Sequence, residues 1–120
     1  MDLENANPGN ILGLYVLDEA GEPVECPDVL EWGRWLEEHW RLRQIAHDEL
    51  PGGYRISTVF LPVEMEYTRA LGLDIEPVHF ETAVFKDDKH LAGQRYATRA
   101  AALAGHERVV AALRRPDHGQ

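Results

Sequence analysis

Side chains able to do acid–base and nucleophilic chemistry recur at alternate positions of two strand-like runs. Arg55 and Ser57 lie in Arg55-Ile-Ser-Thr-Val-Phe-Leu61, and His79 and Glu81 in His79-Phe-Glu-Thr-Ala-Val-Phe85. Strand side chains alternate between faces. If the two runs pair, Arg55, Ser57, His79 and Glu81 share one face, while Ile56, Thr58, Phe60, Phe80, Thr82 and Val84 share the other. A Ser with a His and a Glu is the residue set for nucleophilic hydrolysis. However, no Gly-x-Ser-x-Gly elbow surrounds Ser57, and Arg55 with Glu81 suits an ordinary cross-strand ion pair. Polar groups on half-buried strands need partners, so these residues form either a ligand site or an internal network. As a pocket for a small molecule or nucleotide signal, Arg55 would hold an anion, and Ser57 and Thr82 would supply hydrogen bonds. Glu81 and His106 would then be the acid and base. His106 stands on the apolar stripe of the last helix, from which it could approach Glu81 or Thr82. Its plain reading is a core histidine with a hydrogen-bonded nitrogen.

The elements that must position these residues read in the order ββαββα, an α+β fold with two helices packed on one face of a small antiparallel sheet. Residues 1–10 form a loose leader, 11–115 a single domain, and 116–120 a frayed tail. Ile11–Cys26 reads as a hairpin around Asp18-Glu-Ala-Gly21. A helix opens at Asp28, with Glu31 three residues on as in a capping box, and is expected to run to residues 46–50. Val29, Trp32, Leu36 and Trp40 share its apolar face. Pro51-Gly52-Gly53 is expected to end it. Strands follow at 54–61 and 78–85, separated by an excursion at 62–77 that is too long for a tight hairpin loop. Within it, Met65–Leu71 could form a short helix. Lys86-Asp-Asp-Lys89 is a polar turn, and Thr98 caps a helix through Leu113 with Leu103, His106, Val110 and Leu113 as its apolar stripe.

Composition excludes several classes. The chain has 120 residues, of which 44% are hydrophobic and 28% charged, and one cysteine, Cys26. That profile is ordinary for a globular domain, and one cysteine rules out an internal disulfide and a cysteine-based zinc cage. The six histidines are scattered without close ligand pairs, so neither a metal site nor a cofactor is expected. No apolar run reaches the length of a membrane span, and the acidic start is unlike a signal peptide. A cytoplasmic protein is expected. The net charge of −9 arises in residues 1–50, which hold twelve Asp or Glu against three Arg. Such a half is wrong for direct nucleic-acid binding, yet it suits a basic partner protein as well as a solvated acidic surface.

Recognition residues stand out in two places. Trp35 with Arg41 or Arg43 offers the residue types enriched at interaction hot spots. The 62–77 excursion adds Glu64, Glu66 and Tyr67 to an amphipathic, acidic segment suited to a partner-binding finger or a dimer arm.

Taken in order, several segments form a pattern: Tyr15-Val-Leu-Asp-Glu-Ala-Gly-Glu-Pro-Val24, Trp32 with Trp35, Ser57-Thr-Val-Phe-Leu61, Phe80-Glu-Thr-Ala-Val-Phe85, Arg95-Tyr-Ala-Thr98 and Gly105-His106. In this pattern, over roughly residues 14 to 110, the chain resembles a group of small, uncharacterised proteins that recur in bacteriophage and prophage genomes. None of the shared motifs is specific for a reaction. The chain departs from the group after Leu61, where relatives tend to carry Gly-Leu-Asp-His and this sequence has Pro62-Val-Glu-Met65. The acid is kept and the imidazole is lost, which weighs against catalysis. The resemblance implies a phage accessory protein acting in the bacterial host cytoplasm. Joined to the acidic half, it yields the expectation of a non-enzymatic protein that binds and modulates a host or phage protein, such as a nucleic-acid-binding or immune effector, with a homodimer as the expected assembly. The alternatives are the small-molecule pocket above and a structural or assembly component of the virion.

Overall fold

The computed structural model describes residues 10, 12–63 and 78–115. Tyr15–Leu17 (β1) and Pro23–Glu25 (β2) form a two-stranded antiparallel hairpin. Its turn is organised by Asp18, whose Oδ1 accepts from the amides of Ala20 and Glu22 at 2.9 Å each. Gly21 adopts φ +81°, a conformation that L side chains avoid.

Helix α1 (Val29–Glu38) opens on Asp28, whose Oδ1 accepts from Leu30 N and Glu31 N. It is shorter than the expected helix to residues 46–50. Its last turn gives way at His39 to a 3₁₀ turn, Trp40–Arg43, and Gln44–Leu50 is a strand, β3. The reason lies in the period: Ala46, Asp48 and Leu50 turn inward while His47 and Glu49 are exposed. That two-residue alternation fits a half-buried strand and no helix. Pro51-Gly52-Gly53 therefore serves as the β3–β4 hairpin loop, with Gly52 and Gly53 at φ +91° and +83°.

Tyr54–Phe60 (β4) and Phe80–Lys86 (β5) pair antiparallel in the register that the alternation implies. Ile56 faces Val84, Thr58 faces Thr82 and Phe60 faces Phe80. The chain then departs again from expectation. Beyond Asp87 and Asp88 it returns as a full strand, β6 (Lys89–Tyr96), giving a four-stranded sheet in the order β3-β4-β5-β6. The element order is ββαββββα. The two aspartates take φ +49° and +67°, the left-handed pair that a two-residue hairpin turn requires. As an edge strand exposed along nearly its whole length, β6 has no need of apolar alternation, so the strand left little trace in its sequence.

Helix α2 (Arg99–Leu113), capped by Thr98 Oγ1 on Ala101 N, lies across the sheet. Its packed face is Ala102, Gly105, His106 and Val110, and Leu103 is exposed. One cluster joins Leu17, Phe60, Phe80 and Ala102, with Trp35 packed against it; a second joins Leu50, Ile56 and Val110. Phe60, Phe80 and Ile56 are fully buried, each worth on the order of 2 kcal/mol of transfer free energy.

Candidate functional site

The inner sheet face carries a continuous polar chain. Alternation turns Thr58 of β4 and Thr82 of β5 inward, and the register places them opposite one another with Oγ1 atoms 2.6 Å apart. Thr58 Oγ1 also meets His106 Nδ1 at 2.8 Å. On the far side of the ring, His106 Nε2 lies 2.7 Å from Asp48 Oδ2 on β3. A carboxylate accepts, so Nε2–H donates to Asp48 and Nδ1 is left to the threonine hydroxyls. Asp48–His106–Thr58 has the hydrogen-bond order of a catalytic triad, but it lacks access. Thr58 is 0% and His106 1% exposed, and the Thr58 hydroxyl is engaged by Thr82. The arrangement satisfies buried polar groups that would otherwise be costly; it joins three strands to α2.

Gly105 lets α2 approach so closely. A Cβ there would collide with the Tyr96 hydroxyl and ring. The adjacent residues Gly105 and His106 thus act together, one admitting Tyr96 of β6 and the other bonding to β3 and β4.

On the outer face, the four side chains expected to cluster are spread apart. Ser57 stands between His47 and Ala83, and Glu81 between Val59 and Arg95. Arg55 is paired with Phe85, its guanidinium 4.4 Å from the ring centroid, a cation–π contact. Glu81 bonds Arg95 Nε at 3.0 Å. The His79 ring is turned into the core, 4.0 Å from Tyr15, with Nδ1 3.2 Å from Leu61 O. Ser57, His79 and Glu81 therefore share no site. Glu81 and Thr82 are neighbours in β5 and point to opposite faces, so His106 reaches the Thr58–Thr82 pair and not Glu81. A groove of about 360 Å³ does open at the hairpin ends, lined by Glu49, Tyr54, Arg55, Phe85, Asp87 and Asp88. The aromatic rings there are already matched with the protein's own cations: Arg55 lies on Phe85 and Lys86 over Tyr54.

The surface around α1 differs in kind. None of its residues is buried. Trp32 Nε1 donates to Pro62 O at 3.2 Å, and Trp35 meets Phe60 edge-on, so both indoles turn toward the body of the protein. Trp40 does not: it is 61% exposed, with the Arg43 guanidinium 4.2 Å from its ring. Partial burial lowers the Arg43 pKa from its ordinary value, and its Nε has no hydrogen-bond partner among the described residues. Leu30 is 76% exposed and Val29 51%. Between residues 12 and 38 the chain holds eight carboxylates and one guanidinium, making the hairpin–α1 layer strongly anionic.

Glu64, Glu66 and Tyr67 lie outside the described residues. The two points where that segment leaves and rejoins the fold are adjacent: Leu61 N donates to His79 O at 2.6 Å, and Pro62 O accepts from Tyr15 N and from the Trp32 indole. Both ends therefore meet beside the acidic layer. Cys26 is buried, and burial, then the Glu31 and Asp28 carboxylates, push its thiol up, which keeps it a thiol and a poor nucleophile. Among the described residues no group of three potential metal ligands converges, and no helix is long and apolar enough to cross a membrane.

Asp48 is the member of the inner network that sequence reasoning missed; the alternation of 46–50 is the signal that points to it. In comparisons with known proteins, no protein-family model, no curated protein and no solved structure matched the chain.

Proposed function

We propose that this protein works by binding another protein and performs no turnover, as a phage accessory protein that modulates a basic protein in the host cytoplasm. The observation that carries the reading is the hairpin–α1 layer. It combines an excess of carboxylates with Val29 and Leu30 exposed on α1 and Trp40 exposed in the 3₁₀ turn that follows. Exposed apolar side chains rimmed by one sign of charge are the composition of an interaction surface. Of the groups that a small-molecule pocket would use, Thr82 and His106 are buried and bonded within the chain, while Arg55, Ser57 and Glu81 stand on the outer face, which favours the binding reading over the pocket.

The test is affinity capture of the full chain from host lysate, quantified by mass spectrometry, against a variant carrying Glu31→Lys, Glu37→Lys and Glu38→Lys. A protein recovered by the wild type and lost by the variant supports the reading. A small molecule released on denaturation, with no co-captured protein, would count against it.

A further inference from the structure

Among the described residues, β3 and β6 are the edges of the four-stranded sheet, each with a strand neighbour on one side only. An open edge carries a row of backbone donors and acceptors on which a further strand can be laid. The regularity of this sheet stops at those two strands. β4 and β5 pair from Tyr54–Lys86 to Phe60–Phe80 without a shift. β3 loses register against β4 between Gln44 and Ala46, where Ile45 is the extra residue. β6 loses it against β5 at the other end of the sheet: Val84 faces Ala92, Phe85 faces His90, and Leu91 has nothing opposite. Ile45 packs against the Leu17–Phe60–Phe80 cluster, so its bulge has a reason in the core. Leu91 is 56% exposed, and packing does not account for its insertion.

We infer that the sheet is closed to strand addition at both edges, on β6 by the Leu91 bulge and on β3 by the Ile45 bulge, so that neither a second copy nor an extended peptide continues it. A bulge bends its strand and tightens the local twist, which spoils the straight row that an added strand needs. The side chains act in the same sense. Asp48 turns a carboxylate inward from edge strand β3, where it meets His106, and β6 carries Lys89 and Arg95. Bulges, inward-pointing charges and edge lysines are the devices by which sheets avoid joining edge to edge. The inference stands apart from the protein-binding reading and limits it: any partner, including a second copy, is held by side chains on a face and not by lengthening the sheet.

The test is amide hydrogen exchange of the full chain by NMR across a range of protein concentrations, joined to sedimentation equilibrium. In the wild type, the outward amides of β3 and β6 are expected to exchange at the same rate at every concentration. Association that leaves those amides unchanged lies on a face and agrees with the inference. Deleting Leu91 restores an unbroken alternation from Lys89 to Tyr96. That variant is expected to associate through β6, its outward amides slowing by about tenfold or more as concentration rises. The double variant Lys89→Thr, Arg95→Thr keeps the bulge and is expected to behave as the wild type. Concentration-dependent protection of either edge in the wild type would overturn the inference. So would a deletion variant that keeps the wild-type exchange pattern in β4 and β5 yet does not associate. Association of the double variant through β6 would do the same, because the barrier would then lie in the charges and not in the bulge. Should the deletion prevent folding, the wild type and the double variant decide between these outcomes.

Discussion

The inner sheet face and the outward side of α1 are two polar-apolar surfaces of the same small domain, and they differ in what covers them. On the sheet, polar groups are spent on one another: Thr82, Thr58, His106 and Asp48 are linked end to end at 2.6 to 2.8 Å. On α1, the apolar side chains Val29 and Leu30 stay exposed and the carboxylates outnumber cations. The glycines mirror the contrast, the space beside Gly105 being filled by Tyr96 while a Cβ on Gly33 would meet nothing within 4 Å among the described residues. Residue types that serve catalysis elsewhere can be spent on one another inside a core, while α1 keeps Val29 and Leu30 exposed.

The contrast breaks most readily at His106. His106→Ala would leave Thr58 and Asp48 without their shared partner and open a cavity, with an expected loss of about 3 to 4 kcal/mol, measured by urea unfolding. A loss below about 1 kcal/mol would mean the inner network is not what holds α2 to the sheet. Next comes Gly105→Ala. Forcing a methyl against the Tyr96 ring should destabilise by about 1 to 3 kcal/mol. A neutral outcome would show that helix and strand can separate freely. The same substitution at Gly33 should have the opposite sign. Gly33→Ala is expected to stabilise by roughly 0.5 to 1 kcal/mol, the intrinsic helix preference of alanine with nothing to clash against. If thermal melting instead shows a loss, the two glycines are equivalent and the open side of α1 is not open. The smallest effect is expected at the outer face, where Glu81→Gln removes a part-exposed ion pair with Arg95. It should change stability by no more than about 0.5 kcal/mol and less at high salt. A larger, salt-insensitive change would give Glu81 a role that the ion pair does not explain.

Much of the fold was legible where burial and period coincide. Ile56, Thr58 and Phe60 alternate with Arg55, Ser57 and Val59, and that alone predicts the β4–β5 faces and, once the strands pair, their register. Asp28 and Thr98 announced both helix starts by their capping chemistry. β3 was hidden because the helical period through Val29, Trp32, Leu36 and Trp40 runs up to its edge, and β6 because an exposed edge strand needs no apolar pattern. These omissions had a chemical consequence. With Gln44–Leu50 read as helix, Asp48 could not be paired with His106, which was expected to approach Glu81 or Thr82; it reaches the Thr58–Thr82 pair and Asp48. The exposed tryptophan was likewise misplaced: Trp35 turns to Phe60, and the 3₁₀ turn leaves Trp40 outside with Arg43.

The sequence by itself determined the α+β class, the alternation of β4 and β5, the helix caps and the anionic character of the N-terminal half, because each depends on local chemistry or on counting charge. Only the tertiary structure decided which polar groups are spent on one another and which stay exposed. That division depends on contacts between residues 24 to 58 positions apart, such as Thr58 with Thr82 and Asp48 with His106. Strand register and helix docking set those distances, and no local spacing encodes them.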